Sequence, residues 1–110
     1  MIIKLTNGTE LNPILATGGQ RYVQGVNRDT LSFVFPADVS MDELDTLFTA
    51  ENCESITIMD GENKYIHNGY TIRAELKREP VVVTPATEAS EAIIENRVTI
   101  SMSQRTYMES

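Results

Sequence analysis

Along this 110-residue chain, apolar side chains mostly alternate with polar ones, and only one stretch carries them at helical spacing. Alternation at a period of two places successive side chains on opposite faces of a strand, so the chain reads as mainly β. In "MIIKLTNGTELNPILA" the pair Asn7-Gly8 stands between two apolar runs, and its tolerance of positive φ predicts a tight type I′ hairpin. Pro13 has no N–H for a ladder, so the second run breaks there or lies on an edge. "TGGQ" reads as a flexible turn, and "RYVQGV" and "TLSFVFP" read as strands joined by "NRD", with Leu31, Phe33 and Phe35 facing the core.

The helical stretch has a clear start. Ser40 is placed to cap, Glu43 follows three residues on as in a capping box, and Val39 and Leu44 have staple spacing. Met41, Leu44, Leu47 and Phe48 form one apolar stripe, predicting a helix over about residues 41–50 with Asn52 as a left-handed cap. Beyond it, Asp60-Gly61 turns the chain between a strand at 55–60 and one beginning near Lys64. In "YTIRAELK" the pattern puts Tyr70, Ile72, Ala74 and Leu76 on one face and Thr71, Arg73, Glu75 and Lys77 on the other. Asn68-Gly69 is open to two readings, a further turn of the chain or, fitting the short spacing better, a bulge within one long bent strand. "RVTISMSQRTY" sends Val98, Ile100 and Met102 inward and Arg97, Thr99, Ser101 and Ser103 outward.

Seven to eight short strands with regular turn signals and one helix predict a single domain over 1–110. The expected build is an antiparallel β-sandwich or partly open barrel with the helix packed on it. Thr84 to Asn96, "TPATEASEAIIEN", breaks the pattern: it is acidic, has no glycine and lacks alternation. A loop of this length inside a compact domain is functional or idle, and its composition predicts a mobile loop between strands. Ile93 and Ile94 stand apart in it. They are expected to dock on the domain, to begin the last strand early, or to wait for a partner.

Charge narrows the partners. Nine Lys and Arg against 16 Asp and Glu leave a net charge of −7, which disfavours phosphate backbones, so no nucleic-acid partner is expected. Residues 38–62 hold eight acids and no base. Arg73, Lys77, Arg97 and Arg105 are the cations expected to meet that acidic region in another copy, as a self-association surface that loosens with salt. Asp42 and Asp45 lie one turn apart on the helix, where acids favour the positive end of the dipole, so a solvated face is expected rather than a metal or acid–base pair.

Candidate chemistry is sparse. Cys53 is the single cysteine and His67 the single histidine, which excludes an internal disulfide and the usual Cys/His zinc site. A thiol–imidazole pair would need these two together, and their spacing across a strand gives no reason for contact. An aromatic content of 6% with no tryptophan disfavours stacking sites. The expectation is a protein that is not an enzyme, with no cofactor and no metal. No stretch has the length of a membrane span or a signal peptide, so a cytoplasmic setting and no membrane partner are expected.

"NGYTIRAELKREPVVVTPAT" followed by "ENRVTISMSQRTYMES" resembles small proteins encoded by tailed phages and prophages of Gram-positive gut bacteria. The likeness covers most of residues 55–110 and is a pattern of strands and turns without a catalytic motif. It implies a structural or assembly protein of the tail-tube, tail-completion or connector type. Such a protein would act in the host cytoplasm or the virion, with itself or other phage structural proteins as partners. The alternatives are a monomeric adaptor binding a peptide by strand addition and a small-molecule-binding barrel.

Overall fold

A computed structural model describes residues 1–84, 87, 88, 91 and 93–106, without the side chains of 82–84. Among these residues the chain forms eight strands and one helix, in two antiparallel four-stranded sheets. The strands are β1 (Ile2–Lys4), β2 (Glu10–Leu11), β3 (Leu15–Val23), β4 (Val26–Pro36), β5 (Ser55–Asp60), β6 (Asn63–Asn68), β7 (Ile72–Thr84) and β8 (Ile93–Ser103), and α1 (Met41–Leu47) lies between β4 and β5. One sheet runs β2-β1-β5-β6 and the other β3-β4-β8-β7, an open sandwich rather than a closed barrel. No described helix is long and apolar enough to cross a membrane.

The core lies between the sheets and under the helix. Leu31, Phe33 and Phe35 of β4 stand opposite Met102, Ile100 and Val98 of β8, and all six are buried. The other sheet contributes Ile3 and Ile56, and the helix contributes Leu44 and Phe48, with the Phe48 ring 6.0 Å from that of Phe33 and 6.5 Å from that of Phe35. The alternation in the sequence thus gives the right inward residues on β4 and β8. Ser40 caps as expected, accepting from the Glu43 N–H at 3.3 Å.

Several local expectations are corrected. The helix stops at Leu47, and Asn52 caps it through its side chain, donating from Nδ2 to the Leu47 carbonyl at 2.8 Å. "TGGQ" is not a turn. Residues 15–23 form one strand, and the chain reverses at Gln24-Gly25, whose φ values of 50° and 85° make the tight two-residue hairpin. Asn7-Gly8 does turn the chain, but only Gly8 has positive φ; Leu5 and Thr9 flank a wider loop in which the Leu5 N–H donates to the Thr9 carbonyl. Gly69, at φ 79°, is where the chain leaves one sheet for the other, so β6 and β7 are separate strands rather than one bent strand.

A register shift between Arg73 and Glu75 changes the facing of β7. A bulge adds one residue and so moves everything before it to the other face. Arg73 therefore stands opposite the inward-facing Met102, and Ile72 opposite Ser103 on the outer face, the reverse of simple alternation. Of the segment 84–96, Ile93–Asn96 belong to β8 and Thr84 closes β7, so the strands reach further than the sequence suggests. The expected mobility of the rest falls largely on Pro85, Ala86, Ala89, Ser90 and Ala92, which lie outside the described residues.

Candidate functional site

The β3-β4-β8-β7 sheet is built from two long hairpins joined side by side, β3 with β4 and β7 with β8. The central strands β4 and β8 pair only from Thr30 with Ser103 to Pro36 with Arg97. Val26–Asp29 continue past this zone at one end, while Ile93–Asn96 continue past it at the other. The hairpins consequently overhang in opposite directions, along a molecule 55 Å in its longest dimension.

Apolar side chains collect at both overhangs. At the β3–β4 tip Tyr22 is 74% exposed and Val26 is exposed. At the other end Ile93 and Ile94 are 53% and 60% exposed, in strand rather than loop, paired with Thr84 and Val82. Of the fates open to the two isoleucines, they begin the last strand early. Nearby, Ile14, Leu15, Val34 and Val81 line an open groove of about 270 Å³ on the outer face, bordered by Glu79 and Arg97. Glu88, Glu91 and Glu95 are exposed at this end, giving it an acidic surround.

The four cations expected to reach a second copy all have partners in their own chain. Arg73 is the most committed: it donates to the Asp45 carboxylate at 2.8 Å, to the Phe48 carbonyl at 2.8 Å and to the Asp45 carbonyl at 3.2 Å. It thus serves the carbonyl end of α1, which has no basic residue in its last turn. Arg105 donates to the Glu54 carboxylate, which that guanidinium holds below the usual carboxylate range. Lys77 lies 3.3 Å from Glu79 and 3.4 Å from Glu75, and hydrogen bonds to these two carboxylates raise its pKa. Arg97 donates to Glu95 at 2.9 Å. The structure does not bring the four together; Arg73 faces inward and Lys77 and Arg97 outward.

The outer face is drier than alternation predicts. Ser101 and Ser103 point outward yet are fully buried, and their hydroxyls bond those of Ser32 and Thr30 across the β4–β8 ladder at 2.8 Å. Arg21 of β3 reaches to within 3.6 Å of Glu75 of β7. Those strands are three spacings apart, about 14 Å, so the two side chains reach towards each other across the outer face.

A second concave region opens between the sheets where β3 and β6 border it. It has a volume of about 320 Å³ and is lined by Ala16, Thr17, Gly18, Leu31, Ile58, Asp60, Tyr65 and His67 among others. His67 sits edge-on to the Tyr70 ring at 5.7 Å, and its buried Nδ1 has no hydrogen-bond partner. Among the described residues no hydrogen bond joins His67 to Thr17 or Asp60. Cys53 is elsewhere, sealed in the core, where burial pushes its thiol up to about 12, so it is neither a thiolate nor a partner for the imidazole at neutral pH. Asp45 of the helix acid pair is held by Arg73, and among the described residues no three Cys, His, Asp or Glu side chains converge as a metal would require.

No protein-family model matches this chain, and no curated protein or solved structure matches it. The site therefore rests on geometry alone. The sequence singled out Ile93 and Ile94, which stand exposed at the start of β8, but it passed over Tyr22, Ile14 and Leu15. Their signal would have been the uninterrupted run from Leu15 to Val23, had Gly18-Gly19 not been taken for a turn.

Proposed function

We propose that this chain is a non-enzymatic structural subunit of a phage or prophage particle, from the tail or the head–tail region, working through contacts made at the two ends of its long sheet. The observation that carries this reading is the pair of opposed overhangs, each bearing exposed apolar side chains: Tyr22 and Val26 at one end, Ile93 and Ile94 at the other. Residues this exposed contribute little to the monomer's own core, and grouped apolar surface of this kind marks contact sites. Two different patches at opposite ends suit a heterologous contact, which builds rings or filaments. The phage setting comes from the resemblance of residues 55–110.

The test is to replace Ile93 and Ile94 with Ser in the host that encodes the protein, and to look for the chain in purified particles by mass spectrometry. The wild-type chain should be present in stoichiometric amount. The variant should fold, by circular dichroism, yet be depleted from particles. A wild-type chain absent from particles overturns the proposal. Strand addition of a peptide, the adaptor reading, is favoured by one observation, the outer edge of β3, which no described strand pairs.

A further inference from the structure

An exposed strand edge offers unpaired backbone donors and acceptors to any other strand, and proteins that stay monomeric guard such edges with charge, proline, bulges or brevity. Two of the four sheet edges here are guarded. β2 has two residues and is followed by Pro13. β7 carries Arg73, Glu75, Lys77, Arg78, Glu79 and Pro80 and has bulges. β6 is open, with one charge, Lys64, no proline and an unbroken register against β5, but it has only six residues. β3 is the longer of the two open edges: nine residues, "LATGGQRYV", with one charge, no proline and an unbroken register against β4.

We propose that β3 is the pairing edge for a second copy of this chain, in an antiparallel β3–β3 contact about a two-fold axis at Gly18, which joins two sheets into one of eight strands. The pairing rests on the assembly reading for its setting, though not for its geometry. Val23 and Val26 flank the two-residue turn and so exchange hydrogen bonds. Alternation from that pair turns the N–H and C=O groups of Ala16, Gly18, Gln20 and Tyr22 away from β4, off the edge. Centring the axis on Gly18 lets the two Gly18 residues exchange both bonds and lets Ala16 and Gln20 do the same on either side.

The second copy is the fitting occupant because the strand is complementary to itself in this register. Small residues meet at its centre, with Gly18 opposite Gly18, Thr17 opposite Gly19 and Ala16 opposite Gln20. Arg21 falls opposite Leu15, and no like charges meet. That matters for a chain of net charge −7, whose other surfaces repel a copy. The glycines also acquire a reason. A Cβ on Gly18 or Gly19 would meet nothing within 4 Å in the single chain, and neither has positive φ, so packing and turn geometry do not require them. Glycine inside a strand costs stability and marks places where another backbone comes close.

Sedimentation velocity on the isolated protein, from micromolar to millimolar concentration, should show a reversible monomer–dimer equilibrium. Thr17→Lys with Gly19→Lys sets like charges directly opposite each other across the axis. It should weaken the dimer by about tenfold or more while leaving the thermal midpoint of the monomer near that of the wild type. Gly18→Cys should crosslink to a covalent dimer under oxidised glutathione, since directly opposed Cα atoms about 5.5 Å apart lie within disulfide reach; Cys53 is buried and does not compete. Thr57→Cys, on the other sheet, should not crosslink. A protein that stays monomeric at millimolar concentration overturns the pairing, as does a dimer unaffected by the double Lys variant. A β3 dimer formed by a chain absent from phage particles upholds the pairing while the assembly reading falls.

Discussion

Replacing Arg73 with Met should loosen the helix from the sheet, and its cost can be built from the contacts. The hydrogen bond from Arg73 to the Phe48 carbonyl, at 2.8 Å, has a charged donor and is part-buried; such bonds contribute about 1.5–3 kcal/mol. The Asp45 carboxylate is 67% exposed, so its pair with Arg73 adds at most about 1 kcal/mol. Ordering a long side chain offsets about 1–2 kcal/mol of this. The net expectation is a loss of about 1–2 kcal/mol, with Met retaining most of the packing of the aliphatic stem. Urea titration followed by far-ultraviolet circular dichroism reads the midpoint, and Asp45→Asn supplies the comparison. Arg73→Lys should recover only part of the loss, because an ammonium cannot reach the carboxylate and two carbonyls as a fork does. An Arg73→Met variant as stable as the wild type would refute the argument. So would Asp45→Asn costing as much as Arg73→Met, which would put the energy in the surface ion pair rather than in the helix end.

Gln24 holds φ at 50° in the two-residue turn, which a side chain with a Cβ tolerates poorly, so Gln24→Gly should raise stability by about 0.4–1 kcal/mol and Gly25→Ala should lower it, both read as shifts in thermal midpoint. Cys53 should resist a thiol reagent at pH 8 until the protein unfolds, because burial holds it protonated. Its folded pKa of about 12 stands above the ordinary 9.0, so the stability tied to the neutral thiol is complete below pH 9 and declines as pH rises from about 9 towards 12. A difference in the pH dependence of unfolding between wild type and Cys53→Ala measures it, and identical slopes in that window would reject the assignment.

Much of the fold was legible because one-sided burial leaves a period of two in the residues that do the burying. Phe33, Phe35, Val98, Ile100 and Met102 obey it, while Leu44 and Phe48, four residues apart, follow the helical period instead. The failures have physical causes. Gly18-Gly19 resembles turn chemistry, yet these residues lie mid-strand with no positive φ, while the actual reversal uses Gln24, a residue with little turn preference. Arg73 was assigned to the wet face because a single bulged residue is invisible to a periodicity count and reverses the facing of its neighbours. The outward serines were expected to be wet, yet they are buried and pair their hydroxyls with Ser32 and Thr30, a cross-strand match that alternation does not reveal. The candidate site was half legible for the same reason: exposed isoleucines show in composition, whereas an unguarded edge depends on strand order, which local sequence does not encode.

The joining of β4 to β8 also bears on how fast the protein folds. Each outer hairpin closes locally, β3–β4 over a two-residue turn, but Thr30 and Ser103 are 73 positions apart when their hydroxyls meet. Closing so long a loop carries an entropic cost that grows with the logarithm of its length, and nothing repays it until the ladder and the buried rings beneath it form together. The hairpins therefore form on the microsecond scale, while their docking sets a far slower overall rate. Until that ladder forms, the inner edges of β4 and β8 are unpaired and open to any neighbouring chain.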